Sequence, residues 1–312
     1  MSSAPTASAQ SPDRGDARVL GLVSPVGLAM IGVLGIAFVA LFYRWFLRQH
    51  IWSSERVEDW GHAYVIPLIS LYIIWQSRDE ISKIRTEVFW PGLAPFLLGI
   101  MTYFAGVVTI RNHMIQGFAV VLTVFGLTLL MTGPRLMKYL FVPIGYLVFA
   151  VTVSEQIMLA ITFKLQLVAS KGAYILLNVI GRPFDWFSVE IDGNRLDILH
   201  GATLIPMNVA EACSGMRMVV AFLALAVAVA LLACKQWWQR TALLLLAAPV
   251  AVLMNILRVT VLGVVSLGNA NLASGDAHTV IGTLLLFPSL LLFLGVVWAL
   301  NRVYREPTEG IR

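Results

Sequence analysis

The amino-acid sequence predicts an all-α polytopic membrane protein with about eight transmembrane helices. Of its 312 residues, 59% are hydrophobic and only 12% are charged, whereas a soluble domain carries roughly 25% charged residues. So few charges cannot cover a surface that faces water. Apolar runs of about 20 residues, long enough to cross the hydrocarbon core, recur along the chain.

The predicted membrane domain covers residues 25–304, between two short tails at 1–24 and 305–312. The first tail is rich in Ser, Ala and Pro, which is typical of disorder. It does not resemble a secretory signal, because the first apolar run starts late and no small-residue cleavage site follows it. The predicted spans are Val26–Leu47, His62–Gln76, Gly92–Ile110, Ile115–Met131, Tyr139–Val153, Ala212–Cys234, Thr241–Leu267 and His278–Asn301, of which the second and fifth are short.

The distribution of Lys and Arg predicts the orientation. If both termini are cytoplasmic, the short outer loops carry only Arg48, Arg56 and Arg111. The inner segments carry Arg14, Arg18, Arg78, Lys83, Arg85, Arg135, Lys138, Lys235, Arg240, Arg302, Arg305 and Arg312. This excess marks the cytoplasmic side. The net charge of +5 is therefore explained by membrane orientation, and no nucleic-acid partner is predicted.

The outer region 154–211 breaks the helix-loop-helix pattern. Its first part, Ile157–Ile180, is apolar but interrupted at seven-residue intervals by Lys164, Lys171 and Asn178, which form one stripe of a helix. We predict an amphipathic helix in the membrane interface. A helix that spans the membrane is the alternative for this segment. Residues Trp186–Leu199 alternate in hydrophobicity around an Asp-Gly turn, which predicts a small β-hairpin.

Cys213 is the first candidate for chemistry. It lies with Ser214 and Gly215 at the outer start of the sixth predicted span. The positive end of the helix dipole favours the thiolate there, and Arg217, four residues on, acts in the same direction. The alternative is a small buried apolar side chain. An arginine one turn inside a span is costly, which favours a functional site.

Arg258 is the only charged residue in the run 242–267 and lies roughly 15 Å below the outer helix end. An arginine at such a depth costs at least about 2.5 kcal/mol, which indicates a function. The alternative is a side chain that reaches back to the lipid headgroups. Asn255, one turn away, is expected to hold the guanidinium in place.

His278 begins the last predicted span at its outer end, where a histidine at the water interface is the alternative interpretation. His62 follows a glycine and is expected to line the same site. A thiolate, a guanidinium and an imidazole on three consecutive spans suit acyl transfer through attack, oxyanion stabilisation and proton transfer. No metal or other cofactor is predicted, because no set of ligands has metal spacing and no phosphate-binding loop occurs.

These blocks resemble the exosortase/archaeosortase family over roughly residues 59–300. The resemblance is specific for the cysteine, arginine and histidine blocks, which follow in this order on successive spans, and softer for the block around His62. The matching residues are Gly61-His62 with Pro67 and Trp75, Ala212-Cys213-Ser214-Gly215, Asn255-x-x-Arg258, and His278 with Gly282 and Phe287.

The resemblance implies a membrane cysteine transpeptidase that cleaves exported proteins at a C-terminal sorting signal. That signal consists of a Pro-Glu-Pro-like motif, a transmembrane helix and a basic cluster. It implies that Cys213 is the nucleophile, Arg258 the charge stabiliser and His278 the acid/base, and Arg217 matches an often basic position. It also implies a bacterial cytoplasmic membrane with the active site on the outside. The implied partners are the lipid bilayer and membrane-anchored protein substrates that carry the C-terminal sorting signal.

Two other functions fit parts of the sequence. A transporter or permease for envelope polysaccharide or lipid-linked sugar explains the many spans and the buried arginine, but it predicts broken helices and pseudo-symmetric halves, and it leaves Cys213 without a role. A non-catalytic envelope scaffold predicts that the three site residues are replaceable. The sequence leaves open hydrolysis or transpeptidation, the exact motif and the oligomeric state.

Overall fold

The computed structural model describes residues 25–56, 60–209, 215–232, 234, 236–268, 284 and 286–303. Both predicted tails lie outside these residues. So do three predicted site residues, Cys213, Ser214 and His278.

Eight helices make up most of the described chain. Five helical segments are long and apolar enough to cross a membrane, and three shorter helices are also apolar, which confirms an all-α polytopic membrane protein. The helices are α1 Pro25–Glu55, α2 His62–Gln76, α3 Leu93–Val108, α4 His113–Tyr146, α5 Glu155–Gly181, α6 Gly215–Leu232, α7 Trp237–Gly268 and α8 Leu286–Val303, with single turns at Arg78–Ile81, Trp90–Gly92, Leu147–Ala150 and Arg182–Phe184.

Helix α4 holds two of the predicted spans in one helical run. The two halves meet at Gly133, whose backbone is not helical (φ 77°, ψ 171°). Glycine adopts this φ without steric cost, and Pro134 is suited to the first position of the second half. Arg135 and Lys138, expected in a loop between two spans, therefore lie inside the second half of α4.

Helix α5 corresponds to the predicted interfacial helix. Lys164 and Lys171 are exposed, as expected for a polar stripe. The segment Glu155–Phe184 is nevertheless long and apolar enough to cross a membrane. The interfacial orientation therefore stays a prediction.

Helices α5 and α7 pack side by side and run in the same direction. A Cβ atom at Gly172 of α5 would lie 2.6 Å from the Ile256 side chain, and one at Gly263 of α7 would lie 3.0 Å from Leu177. Residues later in α5 therefore contact residues later in α7, as in a parallel pair of helices. Because Gly172 and Gly263 have no side chains, the two helices approach each other closely.

The predicted hairpin is confirmed, and a third strand extends it. Strands β1 Ser188–Asp192, β2 Arg195–His200 and β3 Thr203–Asn208 form an antiparallel sheet in that order. Both turns have two residues, with Gly193 (φ 60°) and Gly201 (φ 59°) in their first positions, as type II′ turns require. The sequence did not predict β3, because Pro206 inside a short apolar run argues against a strand.

Helix α7 lies between two apolar clusters. One cluster joins α7 to α6 and α8, with Met254 and Phe293 among its members. The other joins α7 to α5 and the sheet, with Val259 and Leu262 contributed by α7. The boundary between the two clusters on α7 falls at residues 255–258, where the predicted Asn255 and Arg258 are located.

Candidate active site

Helices α6 and α7 form an antiparallel pair that sets the geometry of the site. The connection between them is only residues 233–236. Buried side chains from both helices form one cluster, and Cys234 in the connection is also part of it. Cys234 is therefore a packed apolar residue, 4% exposed.

The lengths of these helices place Arg258 beside the start of α6. From Leu232 back to Gly215, α6 rises about 26 Å at 1.5 Å per residue. The same distance along α7 from Trp237 reaches Met254. Arg258 lies one turn further along α7, and so one turn beyond the level of Gly215, the first described residue of α6.

Asn255 and Arg258 each have a buried polar atom with no hydrogen-bond partner among the described residues. Asn255 is 2% exposed, and its Oδ1 atom has no hydrogen-bond partner among the described residues. The Nε atom of Arg258, which is half-buried, likewise has none. A buried polar atom left in this way costs about 1–3 kcal/mol, so it needs an explanation.

The prediction that Asn255 holds Arg258 in place is not supported by this geometry. Since Asn255 Oδ1 has no partner, it does not accept a hydrogen bond from the guanidinium. The two side chains are neighbours on α7, but no hydrogen bond joins the Asn255 amide oxygen to Arg258.

Helix α6 begins at Gly215, the last residue of the predicted Cys213-Ser214-Gly215 block. Gly215 is the first described residue of α6, and Arg217 lies in its first turn; their side chains are not described. Cys213 precedes Gly215 by two residues in the chain. The structure thus describes the helix that follows the predicted nucleophile.

Each of the four described histidines has a hydrogen-bond partner. These are the Tyr64 hydroxyl for His50 (2.8 Å), the Gln49 side chain for His113 (3.0 Å), the Trp186 carbonyl for His200 (2.9 Å) and the backbone of Phe149 for His62. His62 and His113 each have a second ring nitrogen, Nε2 and Nδ1 respectively, that is buried with no partner among the described residues.

His62 is on a helix that packs against α6. It is the first residue of α2, and its ring lies 5.8 Å from the Trp60 ring between centroids. Ile66, one turn later, packs with Ala224 and Ala228 of α6. The structure therefore brings the helices that carry His62, Arg217 and Arg258 together, while a shared site for the three side chains stays a prediction.

Asn178 has a role that the sequence did not predict. Its Nδ2 atom donates to the carbonyl of Val189 (3.1 Å) and of Tyr174 (3.1 Å). Its Oδ1 atom accepts from the Val189 N–H (3.3 Å) and from Arg182 Nε (2.9 Å). The residue joins α5 to β1. Only the folded chain brings these partners together, so no local sequence signal could have identified the role.

No group of three or more His, Cys, Asp or Glu side chains in the described part of the chain could hold a metal ion. The described acidic residues close to the sheet are instead at the surface, such as Asp197, which pairs with Arg195 at 2.8 Å. The arrangement at α6 and α7 offers a cation and unpaired polar atoms in an apolar setting. Such a setting strengthens interactions with a developing negative charge.

Comparison with known proteins identifies the family. The family model described as transmembrane exosortase matches residues 51–295, a range that includes α2 to α7, the sheet, the cysteine block and His278. No curated protein and no solved structure matches the chain. The match covers more than half of the 312 residues, and the chain therefore belongs to the transmembrane exosortase family, whose members are sorting-related transpeptidases of the membrane.

Proposed function

We propose that this protein cleaves the C-terminal sorting signal of exported, membrane-anchored proteins through a Cys213 acyl-enzyme. The signal is of the Pro-Glu-Pro type, followed by a transmembrane helix and a basic cluster. The observation that carries the proposal is Arg258, a half-buried guanidinium with an unpartnered Nε, one turn beyond the level of Gly215. The family relationship supports the reaction class.

In the first step the Cys213 thiolate attacks the carbonyl carbon of the scissile peptide bond. The carbonyl electrons move to the oxygen, and the positive charge of Arg258 stabilises this oxyanion. Arginine keeps its proton under all relevant conditions. It therefore acts by charge, and the proton transfers need another group.

In the second step the C–N bond breaks. His278 donates a proton to the leaving nitrogen, and the C-terminal fragment departs as an amine. The remaining acyl group forms a thioester with Cys213. The same imidazole then takes a proton from the incoming nucleophile, which releases the acyl group and restores the thiolate.

The incoming nucleophile decides the outcome of the reaction. Water gives hydrolysis, and an amine or hydroxyl of an envelope acceptor gives transpeptidation or a related transfer. Cys213 is suited to both, because the dipole of α6 and the charge of Arg217 favour its thiolate. No cofactor is needed for any of these steps.

His62 is a second candidate for the proton transfers. Its Nε2 atom is buried with no partner in the described part of the chain, and its helix packs against α6. We assign the acid/base role to His278, on the family motif, and a site-lining role to His62. Replacing each separately distinguishes them: loss of turnover on His62→Gln with retention on His278→Ala would reverse the assignment.

The orientation that fits this function has both termini in the cytoplasm of a bacterial membrane and the active site outside. The excess of basic residues in the predicted inner segments supports it. A substrate anchored by its own helix then presents its sorting motif at the face where the chain enters α6.

The test is co-expression with a reporter that carries a Pro-Glu-Pro motif, a membrane helix and a basic tail. Wild type is expected to shorten the reporter, and Cys213→Ser, Arg258→Ala and His278→Ala are expected to abolish processing while remaining inserted. Cys234→Ala is the matched thiol control and is expected to process normally, because Cys234 packs in an apolar cluster. Processing by Cys213→Ser would refute the thiol mechanism. If Cys213→Ser kept all function while Arg258→Ala lost it, the transporter hypothesis would be favoured.

A further inference from the structure

The two tight turns determine which backbone groups of the sheet point to its edges. Residue pairs that flank a two-residue turn are hydrogen-bonded, and such pairs alternate with non-bonded pairs along an antiparallel ladder. His200 pairs with Thr203 at the second turn. The next pair, Leu199 with Leu204, is therefore non-bonded, and so is the pair of Asp197 with Pro206. The backbone groups of Leu204 and Pro206 point away from β2.

Pro206 agrees with this assignment. Proline has no N–H, so a strand tolerates it only where that group would face away from the ladder. The side chains support the same orientation of β3. Ile205 and Met207 are 5% and 2% exposed in the cluster with α7, whereas Leu204 is 53% exposed.

At Leu204 and Pro206, the free edge of β3 thus offers one donor and two acceptors. They are the N–H and C=O of Leu204 and the C=O of Pro206. No described residue forms a hydrogen bond with them. The edge strand is short and carries a proline, two features that prevent extensive pairing with another sheet, but it retains a site for a short extended peptide.

The opposite edge of the sheet is covered at Val189. By the same alternation from the first turn, Val189 and Ile191 of β1 point their N–H and C=O away from β2. Both groups of Val189 are hydrogen-bonded to the Asn178 side chain of α5. The asparagine amide thus occupies the place of a neighbouring strand at Val189, which leaves β1 with the outward groups of Ile191 beside the turn, whereas β3 is open at both Leu204 and Pro206.

Strand β3 leads into the cysteine block. The Val209 N–H, one residue past the strand, still bonds to the Asn194 carbonyl (3.0 Å). From Pro206 to Cys213 the chain spans seven residues, at most about 23 Å at 3.3 Å per residue. A peptide lying along β3 is therefore within a few residues of the start of α6.

We propose that the free edge of β3 binds the substrate backbone as an added strand. The occupant is the extended segment of the exported protein on the outer side of its membrane helix, so this inference rests on the proposed function. One substrate residue exchanges two hydrogen bonds with Leu204, and the Pro206 carbonyl accepts the N–H of the residue two positions away. This is strand addition at a sheet edge, and it continues directly to the catalytic region.

The first experiment removes the backbone donor at Leu204. Leu204→Pro eliminates the outward N–H without breaking the ladder to β2, and native Pro206 shows that this edge accepts proline. Leu204→Ala is the matched variant, because it keeps the N–H and measures the contribution of the side chain alone. In the full-length protein in lipid nanodiscs with the sorting-signal reporter, Leu204→Pro is expected to lower kcat/KM on the order of tenfold relative to Leu204→Ala, through KM.

Two further measurements separate the possible failures. In a Cys234→Ala background, iodoacetamide labelling of Cys213 at the wild-type rate shows that Leu204→Pro leaves the catalytic region intact. A photo-crosslinking residue at position 204 is expected to capture the reporter motif, and one at Glu190, exposed on β1, is not. A KM in Leu204→Pro equal to that in Leu204→Ala, or equal crosslinking at both positions, overturns the strand proposal while Cys213→Ser still tests the proposed function. Processing by Cys213→Ser overturns the function itself.

Discussion

Asn178 in α5 and Asn255 in α7 are each followed about one turn later by an arginine, Arg182 and Arg258 respectively, and the two pairs behave in opposite ways. On α5, Asn178 accepts a hydrogen bond from Arg182 at 2.9 Å and makes three more to backbone groups. On α7, Asn255 Oδ1 and Arg258 Nε have no partner among the described residues. In the first pair, both polar atoms of the Asn178 side chain have hydrogen-bond partners, and the pair joins a helix to a sheet. In the second pair, each residue has a buried polar atom without a partner among the described residues.

The difference shows how a structural polar pair can be separated from a functional one. A buried polar group that is fully hydrogen-bonded contributes to stability or specificity of the fold. One that stays unpaired lowers stability, and it persists where a substrate or reaction intermediate supplies the missing partner. The comparison predicts that changes in the α5 pair alter stability, and changes in the α7 pair alter activity.

The largest expected effect is that of Arg258→Ala. Loss of a charge that stabilises the oxyanion lowers turnover about 100-fold to 1000-fold, while the protein still inserts and keeps its thermal midpoint. The measurement is the rate of reporter processing in membranes. Arg182→Ala is the matched control, since Arg182 is also an arginine after an asparagine but is exposed, and it is expected to process normally. Equal losses in both variants would remove the distinction between the pairs.

Asn255→Asp tests the same comparison by placing a carboxylate partner for Arg258 on α7. A carboxylate one turn from Arg258, in an apolar setting, attracts the guanidinium and reduces the charge that is available to the oxyanion. Turnover is expected to fall on the order of tenfold. The control is Asn178→Asp, which places the same change beside Arg182. Unchanged turnover in Asn255→Asp would show that an unpaired Arg258 is not required.

Asn178→Ala is expected to affect stability rather than chemistry. It removes both hydrogen bonds to Val189 and leaves the N–H and C=O of that half-buried strand without partners, at a cost of about 2–4 kcal/mol. The measurement is the thermal midpoint in detergent. Asn255→Ala is the matched variant and is expected to leave the midpoint unchanged or slightly raised, because it removes an unpaired buried oxygen. A larger loss in Asn255→Ala would mean that the residue is structural.

The smallest expected effect is the change in stability on Arg182→Ala. The bond from Arg182 Nε to Asn178 is at the surface, and exposed interactions of this type contribute about 0–1 kcal/mol. The thermal midpoint is expected to change by no more than a few degrees. A shift as large as that of Asn178→Ala would indicate that Arg182, and not the contacts with Val189, holds α5 against the sheet.

The class of the protein follows from the sequence alone, and so do the candidates for the chemistry-bearing residues. The scarcity of charged residues excludes a water-facing surface, and Arg258 inside an apolar run is unusual in any membrane helix. The hairpin also followed from the sequence, because alternating residues around Asp192-Gly193 form a local pattern that needs no distant partner. These signals are all contained within a few turns of chain.

The tertiary structure alone decided the features that depend on distant partners. Whether Asn178 is paired and Asn255 unpaired depends on what packs against each helix, which no local pattern contains. In the sequence alone, Pro206 indicates that the segment is not a strand. Its pairing position opposite Asp197 of β2 places its nitrogen at the open edge of the sheet, where proline is tolerated. The level of Arg258 beside the start of α6 likewise follows from the short turn between α6 and α7 and their packing. The sequence determines the type of each side chain, whereas its neighbours in the fold determine whether its hydrogen-bonding groups have partners.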